Sequence, residues 1–134
     1  MADAFDAAHI GRVTTTVLGG YQVSEKGDLA NWTIEAEGYW GSMGGAMDMI
    51  LAKRVIIVME HVTRQGQPRI VNKCTYALTG RECVDLIVTD LAVIEVTKQG
   101  LLLKESAPGW TAKEVQALTE PRLIIDKGLK EIEL

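Results

Sequence analysis

The residues able to do chemistry fall in three places, and the first is Gly41 to Asp48, GSMGGAMD, with three glycines in five residues before an apolar segment. Glycine permits φ > 0 and lets another group come within contact distance of the main chain. A glycine loop that opens a helix points its amides outward with the positive end of the helix dipole behind them, which suits a phosphate or a developing oxyanion. The loop has neither the Lys-Ser/Thr of a nucleotide P-loop nor the Gly-x-Gly-x-x-Gly spacing. Close packing of a helix on a strand uses the same glycines, and spacing alone leaves the two roles open.

The second place is Glu60-His61, at the end of the run RVIIVMEH. If that run is a strand, the pair sits at its carboxyl end, where ligands of open α/β sheets bind. One reading is a general base with an orienting neighbour, and the other is a hydrogen-bonded pair that anchors the strand end. The second is favoured, because no serine or cysteine stands beside the histidine to be activated. A hydrolase using Cys74 or Glu60 with His61 is a weaker third option.

The third place is Cys74 and Cys83. They form no Cys-x-x-Cys, and His9 and His61 are the only histidines, so neither a zinc set nor His-Glu-x-x-His is present and no metal is expected. Buried, reduced thiols are the expectation. Asp28 and Asn31 in GDLANW are turn formers by chemistry. Trp32, Tyr39 and Trp40 could stack on an adenine, although such residues more often serve as core or interface anchors.

The elements that must position these residues belong to one domain over 1–134, since 134 residues suffice for one core. With 47% hydrophobic and 24% charged residues the composition is globular, and a formal net charge of −4 offers no general attraction to nucleic acid. No apolar run approaches the roughly 20 residues that span a bilayer, and the first residues lack a signal-peptide layout, so no membrane association and a cytoplasmic location are expected.

RVTTTVLGGYQV, rich in β-branched residues and broken by Gly19-Gly20, predicts a buried strand ending in a turn, and SEKGDLANW a loop. TIEAEGYWGS reads as irregular, and GAMDMILAK as a short helix opened by the glycine loop. Five consecutive apolar residues in RVIIVMEH predict a strand buried on both faces. RIVNKCTYALTG reads as extended structure and a turn. ECVDLIVTDLAVIEVTKQGLLLKES gives two or three β-rich runs, the last two joined as a hairpin at TKQG. Thr111 stands three residues before Glu114, a capping box opening the helix AKEVQALTE, which Pro121 stops. RLIID predicts a last strand and KGLKEIEL a peripheral tail.

Six stretches, TVLGGYQVSEKGDLANW, GSMGGAMD, VIIVMEH, KCTYALTG, VDLIVTDLAVIEV and APGWTAKEV, occur in the order and nearly the spacing of the family I coenzyme A transferases. The chain from Ala2 to about Leu123 resembles the B-type subunit of the 3-oxoacid CoA-transferases, the group of the succinyl-CoA:3-ketoacid and 3-oxoadipate enzymes. The resemblance implies an open, mostly parallel α/β sheet flanked by helices, as in the glucosamine-6-phosphate deaminase group, to which the β-rich runs around TKQG add a small antiparallel element. It implies ping-pong CoA transfer between carboxylates, in which a glutamate becomes a mixed anhydride and then a glutamyl-CoA thioester. Coenzyme A enters as a substrate thioester, and no resident cofactor is expected.

Residue by residue, the resemblance assigns Met43, Gly44 and Gly45 to an oxyanion or acyl-CoA site, with Asn31, Glu60 and His61 as candidate site-lining residues. Two departures matter. The family's nucleophilic glutamate lies in a Ser-Glu-Asn-Gly motif, in the half of the B-type subunit that precedes the match, and no residue of this chain is assigned as nucleophile. The lysines that usually precede the glycine loop are replaced in EGYWGSMGG. The expectation is therefore the second half of a B-type subunit, paired with an A-type subunit or the missing half in a homo- or hetero-oligomer. A non-catalytic acyl-CoA-binding or subunit-interaction module is the competing reading.

Overall fold

The computed structural model describes residues 15–30, 54–76 and 78–131. The strands are β1 (Thr15–Gly19), β2 (Gln22–Ser24), β3 (Leu29–Ala30), β4 (Arg54–Met59), β5 (Ile70–Val71), β6 (Leu86–Thr89), β7 (Ala92–Thr97), β8 (Gly100–Ser106) and β9 (Leu123–Glu131). Among the described residues one short helix, α1 (Ala112–Ala117), lies between β8 and β9. The main sheet has six strands in the order β1-β4-β6-β7-β8-β9, and a small sheet has the order β3-β2-β5.

β1, β4 and β6 run parallel, β6-β7-β8 form an antiparallel meander, and β9 returns parallel to β8. The expectation is an open, mostly parallel α/β sheet with a small antiparallel element; the sheet is open and mixed, with three parallel and two antiparallel pairings, and the expected hairpin closes at Thr97↔Gly100. Successive strand residues face opposite sides of a sheet. Val55, Ile57 and Ile87 therefore share one face with Ile94, Leu101 and Leu103, and all are buried there. Val23, Leu29 and Ile70 of the small sheet and Val115 of α1 complete the same core.

The opposite face is more open. Val17 is 60% exposed and Val58 49% exposed, and the pairings Val17↔Ile56 and Gly19↔Val58 place them diagonally on the same face. Among the described residues β4 is thus buried on one face and not on both, while β1, expected to be a buried strand, has only half-buried and exposed residues. Five apolar residues in a row do not report burial when β-branched side chains also serve a half-exposed face.

Other boundaries move as well. SEKGDLANW is not simply a loop, because Gln22–Ser24 and Leu29–Ala30 pair antiparallel across a turn. Gly27 makes that turn possible: its φ is +88°, and an added Cβ would lie 2.9 Å from the carbonyl oxygen of Val84. Gly20 shows the other use of glycine, since a Cβ there would come within 2.7 Å of Ile57 Cγ2.

The capping box is present, with Thr111 Oγ1 accepting from the Glu114 amide at 3.2 Å and the Thr111 amide donating to Glu114 Oε1 at 3.0 Å. The helix ends at Ala117, before the proline, with Leu118 as its C-cap. Lys127 to Glu131 belong to β9 and not to a peripheral tail, reached through an irregularity opposite Leu103 and Glu105. Among the described residues no helix is long and apolar enough to cross a membrane.

Candidate functional site at the carboxyl end of the parallel strands

The parallel arrangement of β1, β4 and β6 brings Gly20-Tyr21, Glu60-His61 and Asp90 to one end of the sheet. His61 leaves β4 with its side chain wholly buried. Its main-chain amide donates to Asp90 Oδ1 at 2.8 Å, and its carbonyl accepts from the Arg69 amide at 3.0 Å. Ring Nδ1 lies 2.8 Å from Thr89 Oγ1, and Nε2 lies 2.8 Å from Thr119 Oγ1.

The neighbours select the tautomer. Thr119 Oγ1 donates its proton to the Val115 carbonyl at 2.7 Å, so it can only accept from His61, and Nε2 carries the hydrogen. Thr89 Oγ1 already accepts from the Leu91 and Ala92 amides at 3.1 and 3.0 Å, so its proton goes to Nδ1. Charging the ring would aim a second N–H at an oxygen already crowded with donors. Burial lowers the His61 pKa from its ordinary 6.5, and the Asp90 carboxylate only partly opposes this.

A neutral imidazole with both nitrogens occupied has no lone pair to take a substrate proton. His61 instead ties β4 to β6 and to the segment after α1, which is the strand-anchoring role. Glu60, one residue earlier, is exposed, with no hydrogen bond or ion pair among the described residues.

Cys74 is half-buried and its thiol donates to the Asp28 carbonyl at 3.6 Å, while the Cys83 amide donates to the neighbouring Gly27 carbonyl at 3.1 Å. Burial first, and then the Asp28 carboxylate, push the Cys74 thiol up to about 11. Burial likewise raises Cys83 to about 11, with Asp28 and Asp85 contributing. Such thiols stay protonated near neutrality and are poor nucleophiles. Among the described residues no three His, Cys, Asp or Glu side chains gather as a metal site.

Asn31, Met43, Gly44 and Gly45 lie outside the described residues, as do Trp32, Tyr39, Trp40 and the helix expected after the glycine loop. One residue at this end escaped the sequence reading. Arg69 follows the loop that carries Arg64 at its tip, and its guanidinium reaches the carbonyls of Val62 and Tyr21, both at 3.4 Å. The pairing of β2 with β5, in which the Val23 amide donates to the Arg69 carbonyl, brings Arg69 alongside Tyr21 from 48 residues away, so no local signal could have found it.

A mixed, open α/β sheet with polar groups gathered at the carboxyl end of its parallel strands defines the class. Residues 4–118 match the coenzyme A transferase family. The chain is 46% identical over 124 residues to the B-type subunit of the 3-oxoadipate CoA-transferase of Pseudomonas putida, covering 92% of this chain and 58% of that one. It is 42% identical over 134 residues to the mitochondrial succinyl-CoA:3-ketoacid coenzyme A transferase 2B of Mus musculus, covering 98% of this chain and 26% of that one. The crystal structure of the acyl-CoA transferase YdiF from Escherichia coli O157:H7 superposes with a TM-score of 0.78 at 19% identity, over 96% of this chain and 29% of that one, a likeness of fold. The chain belongs to the coenzyme A transferase family, as the resemblance implied. It spans little more than half the length of the Pseudomonas putida protein and about a quarter of the mouse enzyme.

Proposed function

We propose that this chain acts as the second half of a CoA-transferase B-type subunit, contributing to CoA transfer between a short-chain acyl-CoA, such as succinyl-CoA, and a 3-oxoacid. The observation that carries the reading is the family match over residues 4–118, which includes the glycine loop. Met43, Gly44 and Gly45 would meet the acyl-CoA or its oxyanion, and Asn31, Glu60 and His61 would line the site or hold its frame. The attacking glutamate comes from a Ser-Glu-Asn-Gly segment that these 134 residues do not contain. The working unit is therefore an assembly in the cytoplasm with that segment and an A-type subunit, using CoA thioester as substrate and no resident cofactor.

The test is a transfer assay with succinyl-CoA and acetoacetate. The 134-residue chain alone is expected to give no turnover, and addition of a polypeptide carrying the Ser-Glu-Asn-Gly half together with an A-type subunit is expected to restore it. Turnover by the chain alone that disappears in Glu60→Gln would overturn the reading.

A second reading, a non-catalytic acyl-CoA-binding or subunit-interaction module, is favoured by the exposed pair Val17 and Val58 on the open face of the sheet. Sedimentation as a monomer, with no self-association or pairing with an A-type subunit, would count against it.

A further inference from the structure

Arg69 is half-buried, yet the only ion pairs among the described residues are those of Lys104 with Glu95 and Asp126. Its side chain is held over the ends of β1 and β4 by two long bonds, one to the Tyr21 carbonyl and one to the Val62 carbonyl. A guanidinium has five N–H donors in a rigid fork that matches oxyanions, so this one retains donors for a further acceptor. Partial burial weakens its hydration, and a cation so placed is best compensated by an anion.

The position is the end of the sheet where open α/β folds bind ligands. The backbone there is braced: the Arg69 amide donates to the His61 carbonyl, and Thr63 and Gln67 close the intervening turn at 2.8 Å. The fork is therefore presented from a fixed frame.

We propose that Arg69 is an oxyanion-binding residue at the carboxyl end of β1 and β4, taking a carboxylate or phosphoryl group of a ligand. Arg64, exposed at the tip of the same loop, adds positive charge, and exposed Glu60 sets a limit on how much anion the site draws. The proposal rests on this geometry and not on CoA transfer. Binding is read directly, so its failure is distinct from a failure of transfer.

The experiment titrates the 134-residue chain with succinate, with inorganic phosphate and with coenzyme A, following the Arg69 Nε–H resonance by NMR and heat by calorimetry. A saturable shift of that resonance is expected with at least one probe, and binding at least tenfold weaker in Arg69→Gln. Arg69→Lys keeps the charge but not the fork and is expected to fall between the two, while Glu60→Gln should tighten binding. Response to succinate alone identifies a carboxylate as the ligand group, and response to phosphate or coenzyme A alone identifies a phosphoryl group. No shift with any probe, or equal affinity in Arg69→Gln and Arg69→Lys, overturns the proposal. Should Arg69→Gln fail to fold, the wild-type resonance and Arg69→Lys decide.

Discussion

Replacing His61 with alanine removes the ring that joins β4 to β6 and to the segment after α1. Two neutral hydrogen bonds are lost, at about 1 kcal/mol each. A wholly buried side chain also leaves a cavity, and loss of its packing adds about 2 kcal/mol by analogy with large-to-small core substitutions. The sum, about 4 kcal/mol, is a large share of the roughly 5–15 kcal/mol that holds a domain of this kind together. Some of it returns, because Thr89 Oγ1 can turn its proton to the Ala92 carbonyl, now 3.4 Å away. A loss of about 3 kcal/mol at pH 8 is the expected result, read from urea unfolding by circular dichroism.

The same substitution has a pH signature. The folded His61 pKa lies below the unfolded 6.5, so the unfolded chain binds the extra proton. Stability from a neutral folded ring is therefore complete above pH 6.5 and declines as pH falls toward the folded pKa, by at most about 1.4 kcal/mol per pH unit. His61→Ala lacks this component, and its deficit against wild type should shrink between pH 6.5 and 5. A loss below about 1 kcal/mol at pH 8, or a deficit that grows on acidification, would refute the neutral-strut reasoning.

Gly27→Ala forces a Cβ against the Val84 carbonyl at φ +88° and should cost about 1–3 kcal/mol, seen as a lower melting temperature. Thr111→Ala removes the cap of α1 and should cost about 1 kcal/mol in the same measurement, while Thr111→Ser should retain most of the stability. With thiol pKa values raised from 9.0 to about 11, Cys74 and Cys83 hold on the order of 100-fold less thiolate at neutral pH than unperturbed cysteine. Alkylation by iodoacetamide at pH 7.5 should be correspondingly slow in the folded chain and rapid in urea. Fast labelling of Cys74 in the folded chain would revive its reading as a nucleophile.

Much of the fold is legible locally. Thr111 and Glu114 state their helix start through residue type and spacing, TKQG states its hairpin, and the β-branched run before Glu60 states β4. What is not legible depends on partners far along the chain. Whether Val17 and Val58 are buried depends on what covers a sheet face, and no property of RVTTTVLGG or RVIIVMEH carries that information. The mixed charge of KGLKEIEL reads as a peripheral tail because the pairing of β9 with β8, not its own pattern, makes Lys127 to Glu131 a strand.

The site divides the same way. Sequence places Glu60-His61 at a strand end, but the tautomer of His61 follows from Thr89 and Thr119, 28 and 58 residues away. Arg69 lies in a stretch without chemical signature, and its role rests on a Tyr21 carbonyl that it meets only when β2 pairs with β5. The family resemblance carries the assignment of Met43, Gly44 and Gly45, where spacing alone left packing and anion binding open.

The most direct test of the central claim, a coenzyme A transferase chain without its own nucleophile, is intact-mass spectrometry after incubation with succinyl-CoA. The account predicts an unmodified 134-residue chain, and a covalent CoA thioester only on an added polypeptide that carries Ser-Glu-Asn-Gly. A CoA adduct on this chain by itself, mapped to Glu60 or any other carboxylate, would contradict it.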